Sequence, residues 1–85
     1  MRIYYSSKFQ REYKELPKQV KEDAEAAEKL FRQNPFHPRL KTHQLLGRLK
    51  DFWAFSVNYR YRIIFEFANG DIIWFHSVGD HKIYR

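Results

Sequence analysis

The chain has 85 residues, of which 44% are hydrophobic and 19% aromatic, and it carries a net charge of +6. This length fits one domain over residues 1–85, and the apolar content is too high for a disordered chain. The lack of cysteine excludes disulfides and thiolate metal sites. A membrane-spanning helix needs about 20 consecutive apolar residues, and no apolar run in this chain approaches that length. We therefore expect a soluble, cytoplasmic protein without membrane association.

The positive charge is concentrated in the second half of the chain. Residues 1–34 carry eight Lys/Arg and six Asp/Glu, a net +2, whereas residues 35–85 carry eight and four, a net +4. The second half is also the richer in aromatic residues. Cations that meet phosphates and aromatics that stack on bases favour a nucleic-acid surface, although an ordinary basic soluble domain has a similar balance.

The first third of the chain is predicted to form a strand and two helices. Alternating apolar residues predict a strand over residues 2–5. Apolar residues at helical spacing predict a helix that ends at Pro17 and a second helix over residues 18–33. Two helices joined so closely form a hairpin.

Residues 35–50 are predicted to form a basic connector, and three strands follow it over residues 52–57, 61–67 and 71–78. An Asn-Gly pair suits the hairpin turn between the last two strands. The first strand pairs most simply beside the last. We therefore predict an α+β fold of order β-α-α-β-β-β, with the helical hairpin packed on one face of a small twisted, mainly antiparallel sheet. The other face is left for function.

The last fifteen residues combine an apolar strand with a polar tail. Gly79 is predicted to break the strand. Beyond it, His81, Lys82, Tyr84 and Arg85 supply groups that move protons or meet a phosphate. We predict that the strand is the scaffold and that the tail carries the chemistry.

Four histidines raise the question of a metal site. The sequence places no two of them at i, i+4 on a helix, and no carboxylate lies at ligand spacing from them. No metal and no other cofactor is therefore expected.

The order of elements and three local motifs resemble the RelE-like toxins of type II toxin–antitoxin systems, within the RelE/ParE superfamily. The resemblance covers nearly the whole chain and implies the fold predicted above. The motifs are HQLLGRLKDFWAFSV over residues 43–57, YRYRIIF over residues 59–65 and SVGDHKIY over residues 77–84.

The resemblance implies a toxin that acts as a metal-independent endoribonuclease, an mRNA interferase that cleaves mRNA in the A site of the small (30S) ribosomal subunit. It also implies inhibition of translation and a cognate antitoxin protein as partner. ParE-like members of the superfamily act on DNA gyrase and lack the RNase residues. A non-catalytic, gyrase-binding toxin is therefore the alternative.

The resemblance also implies roles for individual residues. Arg62 matches a strand arginine that contacts the scissile phosphate, and His81 matches a position that holds a catalytic His or Arg. Tyr84 resembles a C-terminal tyrosine that stacks on or orients a base, and His43 matches a basic or His position. Some relatives carry lysines on the strand where residues 53–55 of this chain are uncharged. Neutralisation of the phosphate is therefore expected from other cations, namely Lys41, Arg48, Lys50, Arg60 or Lys82.

The residues themselves suit RNA cleavage, in which a base removes the 2′-OH proton and an acid protonates the leaving oxygen. His81 is our first candidate for proton transfer and His43 the second, each with an ordinary surface role as the alternative. For Tyr84, packing against the first strand is the alternative to base stacking. A buried unpaired Arg62 would be costly, so we expect it on the open face.

An ion pair with Glu66 or Asp80 is the alternative for Arg62. Counting outward from the Asn-Gly turn places Arg62 beside residue 77 or 78. The sequence therefore predicts that Arg62 and His81 converge at one edge of the open face.

Overall fold

A computed structural model describes residues 1–84 and every side chain in that range except those of His81 and Tyr84. Two helices pack on one face of a five-stranded sheet, as α1 (Ser7–Lys14) and α2 (Lys18–Gln33). The strands are β1 (Arg2–Tyr5), β2 (His43–Gln44), β3 (Trp53–Ser56), β4 (Tyr61–Phe67) and β5 (Ile72–Asp80). None of the helices in these residues is long and apolar enough to cross a membrane.

The sheet has the order β1-β5-β4-β3-β2, with β1 parallel to β5 and the other neighbours antiparallel. The predicted α+β fold is confirmed, including the pairing of the first strand beside the last. The prediction missed β2, which has two residues inside the basic connector. Two short 3-10 helices lie on either side of it, Pro38–Leu40 and Gly47–Leu49.

The main core lies between the helices and the sheet and is built around Phe31 of α2. Its ring stacks on Phe55 with centroids 4.8 Å apart. It also meets the edges of Phe65 and Phe75 at 4.9 Å and 5.5 Å. All four side chains are fully buried, so β3, β4 and β5 are held together by one aromatic cluster.

A second, smaller core covers part of the face that was predicted to be open. It contains the buried side chains of Leu45, Ala54 and Ile64. Three partly buried residues complete it, Leu49, Phe52 and Ile83. The second core leaves uncovered the end of this face where β4 begins and β5 ends, and the β2 edge at His43 is exposed as well.

The prediction that Gly79 breaks the last strand is wrong. β5 continues through Gly79 to Asp80, and Gly79 lies opposite Arg62. A Cβ atom added at Gly79 would collide with Cγ2 of Ile83. A larger residue there would force Ile83 or the final 3-10 helix, His81–Tyr84, to shift.

Candidate functional site

Arg62 lies on the open face, as predicted. The main core contains Ile63 and the second core contains Ile64, so successive β4 side chains alternate between the two faces and Arg62 shares the face of Ile64. In the sheet Arg62 lies opposite Ser56 on one side and Gly79 on the other. Cγ2 of Ile83 lies close to Gly79 on this face.

The partner predicted for Arg62, residue 77 or 78, is wrong by one or two positions. The β4–β5 turn is longer than two residues, since Phe67 pairs with Ile73. A bulge adds a further step, because Ile64 lies opposite Ser77 while Phe65 lies opposite Phe75. Because of both features, the β5 residue opposite Arg62 is Gly79, which is closer to the C-terminal 3-10 helix than the predicted partner.

The guanidinium of Arg62 is half-buried and is held by backbone carbonyls of the β3–β4 turn. Its Nη1 donates to the Asn58 carbonyl at 2.7 Å and to the Tyr61 carbonyl at 3.0 Å. Within residues 1–84, neither Glu66 nor Asp80 forms a salt bridge with it. The remaining donors, Nε and Nη2, have no partner among the described atoms, so the backbone orients the guanidinium and those atoms leave its other edge unpaired.

The two carboxylates proposed as alternative partners are occupied elsewhere. Glu66 Oε1 lies 2.9 Å from His76 Nε2. Asp80 Oδ1 accepts the Lys82 N–H at 3.0 Å, which caps the start of the C-terminal 3-10 helix. His76 also contacts the Phe52 ring at 5.1 Å, consistent with a structural role for this histidine.

His81 follows directly after Asp80, which lies opposite Tyr61 at the start of β4. The backbone at His81 is therefore two residues past the partner of Arg62, at the predicted edge of the sheet. The side chains of His81 and Tyr84, predicted as proton carrier and base-stacking group, lie outside the described residues.

His43 lies on β2 opposite Ala54, so its side chain shares the open face with Arg62. Its Nδ1 is 3.0 Å from the Lys41 carbonyl. Because a carbonyl only accepts, Nδ1 carries the proton and Nε2 of the neutral ring is the acceptor. His43 lies two strands away from Arg62 and is offset from it by two residues along the strand direction. With a strand spacing of about 4.8 Å, their Cα atoms are roughly 12 Å apart.

The five cations predicted to neutralise phosphate are all exposed, and none forms a salt bridge with a carboxylate within residues 1–84. They lie on four different segments: the connector before β2, the 3-10 helix after it, the β3–β4 turn and the C-terminal 3-10 helix. These residues are Lys41, Arg48, Lys50, Arg60 and Lys82. Among the side chains that the structure describes, which do not include that of His81, no three His, Asp or Glu come together as a metal site.

The end of β5 is held by contacts that no sequence pattern indicates. β1 ends at Tyr5, so the β5 edge beyond Phe75 has no strand beside it. There the Glu12 carboxylate of α1 accepts the Val78 N–H at 3.0 Å and the Ser77 hydroxyl at 2.8 Å. Lys8 pairs with the same carboxylate at 2.6 Å. The i, i+4 spacing of Lys8 and Glu12 is visible in the sequence, but their contact with β5 is tertiary.

Burial alone would raise the pKa of the Glu12 carboxyl. Hydrogen bonds from Lys8, Ser77 and the Val78 N–H together outweigh it and hold the pKa below its ordinary value of 4.5. A carboxyl whose folded pKa is lowered stabilises the fold above its ordinary pKa. That stability is lost as the pH falls through the lowered value.

Glu12→Ala is expected to lower the free energy of unfolding by about 1–3 kcal/mol, because the partly buried Val78 N–H and Ser77 hydroxyl lose their acceptor. Glu12→Gln keeps an acceptor and should cost less, and its difference from wild type should shrink as the pH falls through the lowered pKa of Glu12. Urea unfolding over a pH series from neutral to acid measures both effects. Glu22→Ala, which removes an exposed carboxylate from α2, is the matched control. A Glu12→Ala protein as stable as this control would contradict the account.

The fold has close matches among solved structures. YafQ from E. coli strain BL21(DE3) superposes with a TM-score of 0.80 at 20% identity, over 99% of this chain and 98% of that chain. The YoeB/ParE toxin from Agrobacterium tumefaciens gives a TM-score of 0.80 at 13% identity, over 95% and 99%. The E. coli DinJ–YafQ toxin–antitoxin complex gives 0.77 at 20%, over 95% and 92%. The chain has the RelE/YoeB/ParE-type toxin fold.

No family model and no curated protein matches the sequence. The structural matches nevertheless confirm, at the level of the fold, the resemblance drawn from three short motifs. The RelE-type fold extends over nearly the full length of these structures and of this chain.

Proposed function

We propose that the chain is the toxin of a type II toxin–antitoxin system and acts as a metal-independent, ribosome-dependent mRNA endoribonuclease. The observation that carries this proposal is Arg62. Its guanidinium is fixed on the open face, is not paired with a carboxylate of residues 1–84, and lies beside the strand end that leads into His81. A protein that only binds needs no such pairing of a phosphate-reading arginine with a titrating group.

In the proposed reaction the 2′-oxygen of one ribose attacks the adjacent phosphorus in line. The bond to the 5′-oxygen of the next nucleotide breaks, which leaves a 2′,3′-cyclic phosphate and a 5′-hydroxyl. Arg62 stabilises the negative charge that develops on the phosphate oxygens. The oriented guanidinium supplies this stabilisation without reorganisation of the site.

Proton transfer is assigned to His81, because histidine has an ordinary pKa near about 6.5 and both of its forms are available at neutral pH. His43 is the second candidate, since its Nε2 is an acceptor on the same face. Tyr84 is proposed to stack on a base next to the scissile bond. The exposed cations described above are proposed to contact phosphates of mRNA or of the ribosome.

The partner proposed for regulation is a cognate antitoxin protein that covers this site. The structure of YafQ together with DinJ supports such a partner, because the matched chain there is in a toxin–antitoxin complex. Exposed positive charge on several segments is well suited to an acidic inhibitor.

Expression of the chain without an antitoxin is expected to stop growth by blocking protein synthesis. Pulses of radiolabelled methionine and thymidine after induction separate the two target classes. Incorporation of methionine should fall first. If thymidine incorporation fell first, DNA gyrase would be the target and the RNase proposal would be wrong.

A further inference from the structure

A second concave surface lies on the helix side of the β3–β4 turn. It is a cleft of about 600 Å³ between α2, the first 3-10 helix and this turn. Its walls include the apolar side chains of Ala27, Leu30, Leu40 and Val57. We call it the α2 cleft.

The rim of the α2 cleft is basic. Lys29 of α2 and Arg39 and Lys41 of the connector line it, all three are exposed, and none forms a salt bridge within the described residues. The one carboxylate that lines the cleft, Asp23, is occupied. It accepts hydrogen bonds from Gln19 at 3.1 Å and from Asn58 at 3.0 Å. These donors are neutral amides, so Asp23 keeps its charge, and the lining carries three cations against one anion, a net charge of +2.

An aromatic side chain stands beside these cations. Tyr59, at the tip of the β3–β4 turn, also lines the cleft and is 90% exposed. The turn under it is held in shape, because Asn58 Oδ1 accepts the Arg60 N–H at 2.9 Å and the Tyr61 N–H at 2.8 Å. Exposed aromatics next to unpaired cations are typical of surfaces that bind single-stranded nucleic acid.

The α2 cleft is continuous with the site at Arg62. Ser56 lies opposite Arg62 in the sheet and also lines the cleft. Asn58, another lining residue, supplies the carbonyl that holds the Arg62 guanidinium. An RNA strand whose phosphate lies at Arg62 would reach the cleft across the β3–β4 turn, which carries the exposed Arg60.

We propose that the α2 cleft binds the single-stranded RNA that flanks the scissile phosphate, with Lys29, Arg39 and Lys41 on phosphates and Tyr59 under a base. The inference rests on the proposed function, since it takes its direction from the phosphate at Arg62. Continuity with Arg62 and the exposed tyrosine favour RNA over an acidic protein segment as the occupant.

The test is binding of a fluorescein-labelled 12-nucleotide 2′-O-methyl RNA, which cannot be cleaved, measured by anisotropy between 50 and 200 mM salt. Each phosphate contact contributes about 0.7 to the salt slope of single-strand binding, so Lys29→Gln/Arg39→Gln should lower the slope by about 1.4. Over this fourfold salt range, wild-type affinity should then fall about sevenfold more than that of the variant.

The matched control is Arg11→Gln/Lys14→Gln, which removes the same charge from exposed positions of α1 that do not line the cleft. Its slope should equal that of the wild type. Equal slopes for all three proteins, or equal losses in both variants, would overturn the proposal. Thermal unfolding of each variant checks that the fold is intact.

Tyr59 gives a second, salt-independent readout. Tyr59→Ala should weaken binding about fivefold or more, from the loss of one base–aromatic stack, without a change in slope. Tyr59→Phe keeps the ring and should retain the wild-type affinity. Equal affinities for the alanine and wild-type proteins would remove the tyrosine from the proposed site.

The same proteins separate this inference from the proposed function. Wild type that cleaves mRNA on ribosomes while the cleft variant keeps the wild-type slope would overturn the cleft and leave the function standing. If the wild type failed to cleave mRNA while the cleft variant had a smaller salt slope than the wild type, the proposed function would be overturned and the RNA-binding cleft would stand. A cleft variant that loses binding to a poly-glutamate peptide and keeps its RNA affinity would assign the cleft to a protein and overturn the proposal.

Discussion

Arg62→Ala and His81→Ala are each expected to reduce mRNA cleavage by about 100-fold or more, the usual scale for losing electrostatic or general acid–base help. Arg62 is oriented by the Asn58 and Tyr61 carbonyls, so its loss removes charge stabilisation that is already in place. The measurement is the single-turnover rate of mRNA cleavage on programmed ribosomes.

The double variant is expected to lose less than the product of the two single losses, because groups that act as a unit are not additive. Arg11→Ala is the matched control: it removes the same charge from an exposed position of α1, outside the proposed site, and should leave the rate unchanged. All of these proteins should still fold and bind the antitoxin, because neither Arg62 nor His81 belongs to the helix–sheet core.

A folded His81→Ala protein with full activity would remove His81 from the mechanism and leave His43 as the next candidate. Full activity in Arg62→Ala would be more serious, because the proposal depends on the placement of this guanidinium. Thermal unfolding in parallel separates a loss of chemistry from a loosened β3–β4 turn.

Gly79→Ala is expected to reduce cleavage by up to about 100-fold, because misplacing a catalytic group by about 1 Å has effects of that size. The new methyl group would collide with Ile83 Cγ2 and push the C-terminal 3-10 helix, which contains His81, away from the row of Arg62. The readout is the same single-turnover rate, with substrate affinity measured separately.

The control for Gly79→Ala is a double-mutant cycle with Ile83→Ala, which removes the group that the new methyl meets. Gly79→Ala should cost much less in the Ile83→Ala background than in the wild type. Equal costs in both backgrounds would show that the close approach of Ile83 to Gly79 does not position the 3-10 helix.

The elements with a clear periodicity were predicted well from the sequence. The bounds of β1, of the helix over residues 18–33 and of β4 agree with the structure, because each has a sustained apolar pattern ended by a turn residue or proline. β2 was missed because two residues, His43 and Gln44, are too few to show an alternation.

The parts of the site that were missed depend on tertiary contacts. Gly79 was predicted to end the strand. In the structure it instead leaves room for the side chain of Ile83, and the sequence alone does not distinguish these two reasons for a glycine. The bulge between Ile64 and Phe65 moved the partner of Arg62, and bulges leave no local pattern here. Glu12 reaches Val78 across 66 positions of sequence, a contact that only the folded chain creates.

The face of Arg62 was predicted correctly for a physical reason. A charged residue among apolar neighbours in a strand alternates away from the core, since burial without a partner is costly. The same argument could not decide whether the guanidinium of Arg62 forms an ion pair with a carboxylate of the chain. Resolving that required the positions of Glu66 and Asp80, which have partners of their own.

The most direct measurement adds the purified chain to a reconstituted translation system, maps mRNA cleavage by primer extension, and scores plasmid supercoiling by gyrase in parallel. The account predicts new mRNA ends in the ribosomal A site with the wild type, a loss of about 100-fold or more with Arg62→Ala, and unchanged supercoiling with both. Intact mRNA together with inhibited supercoiling would contradict it.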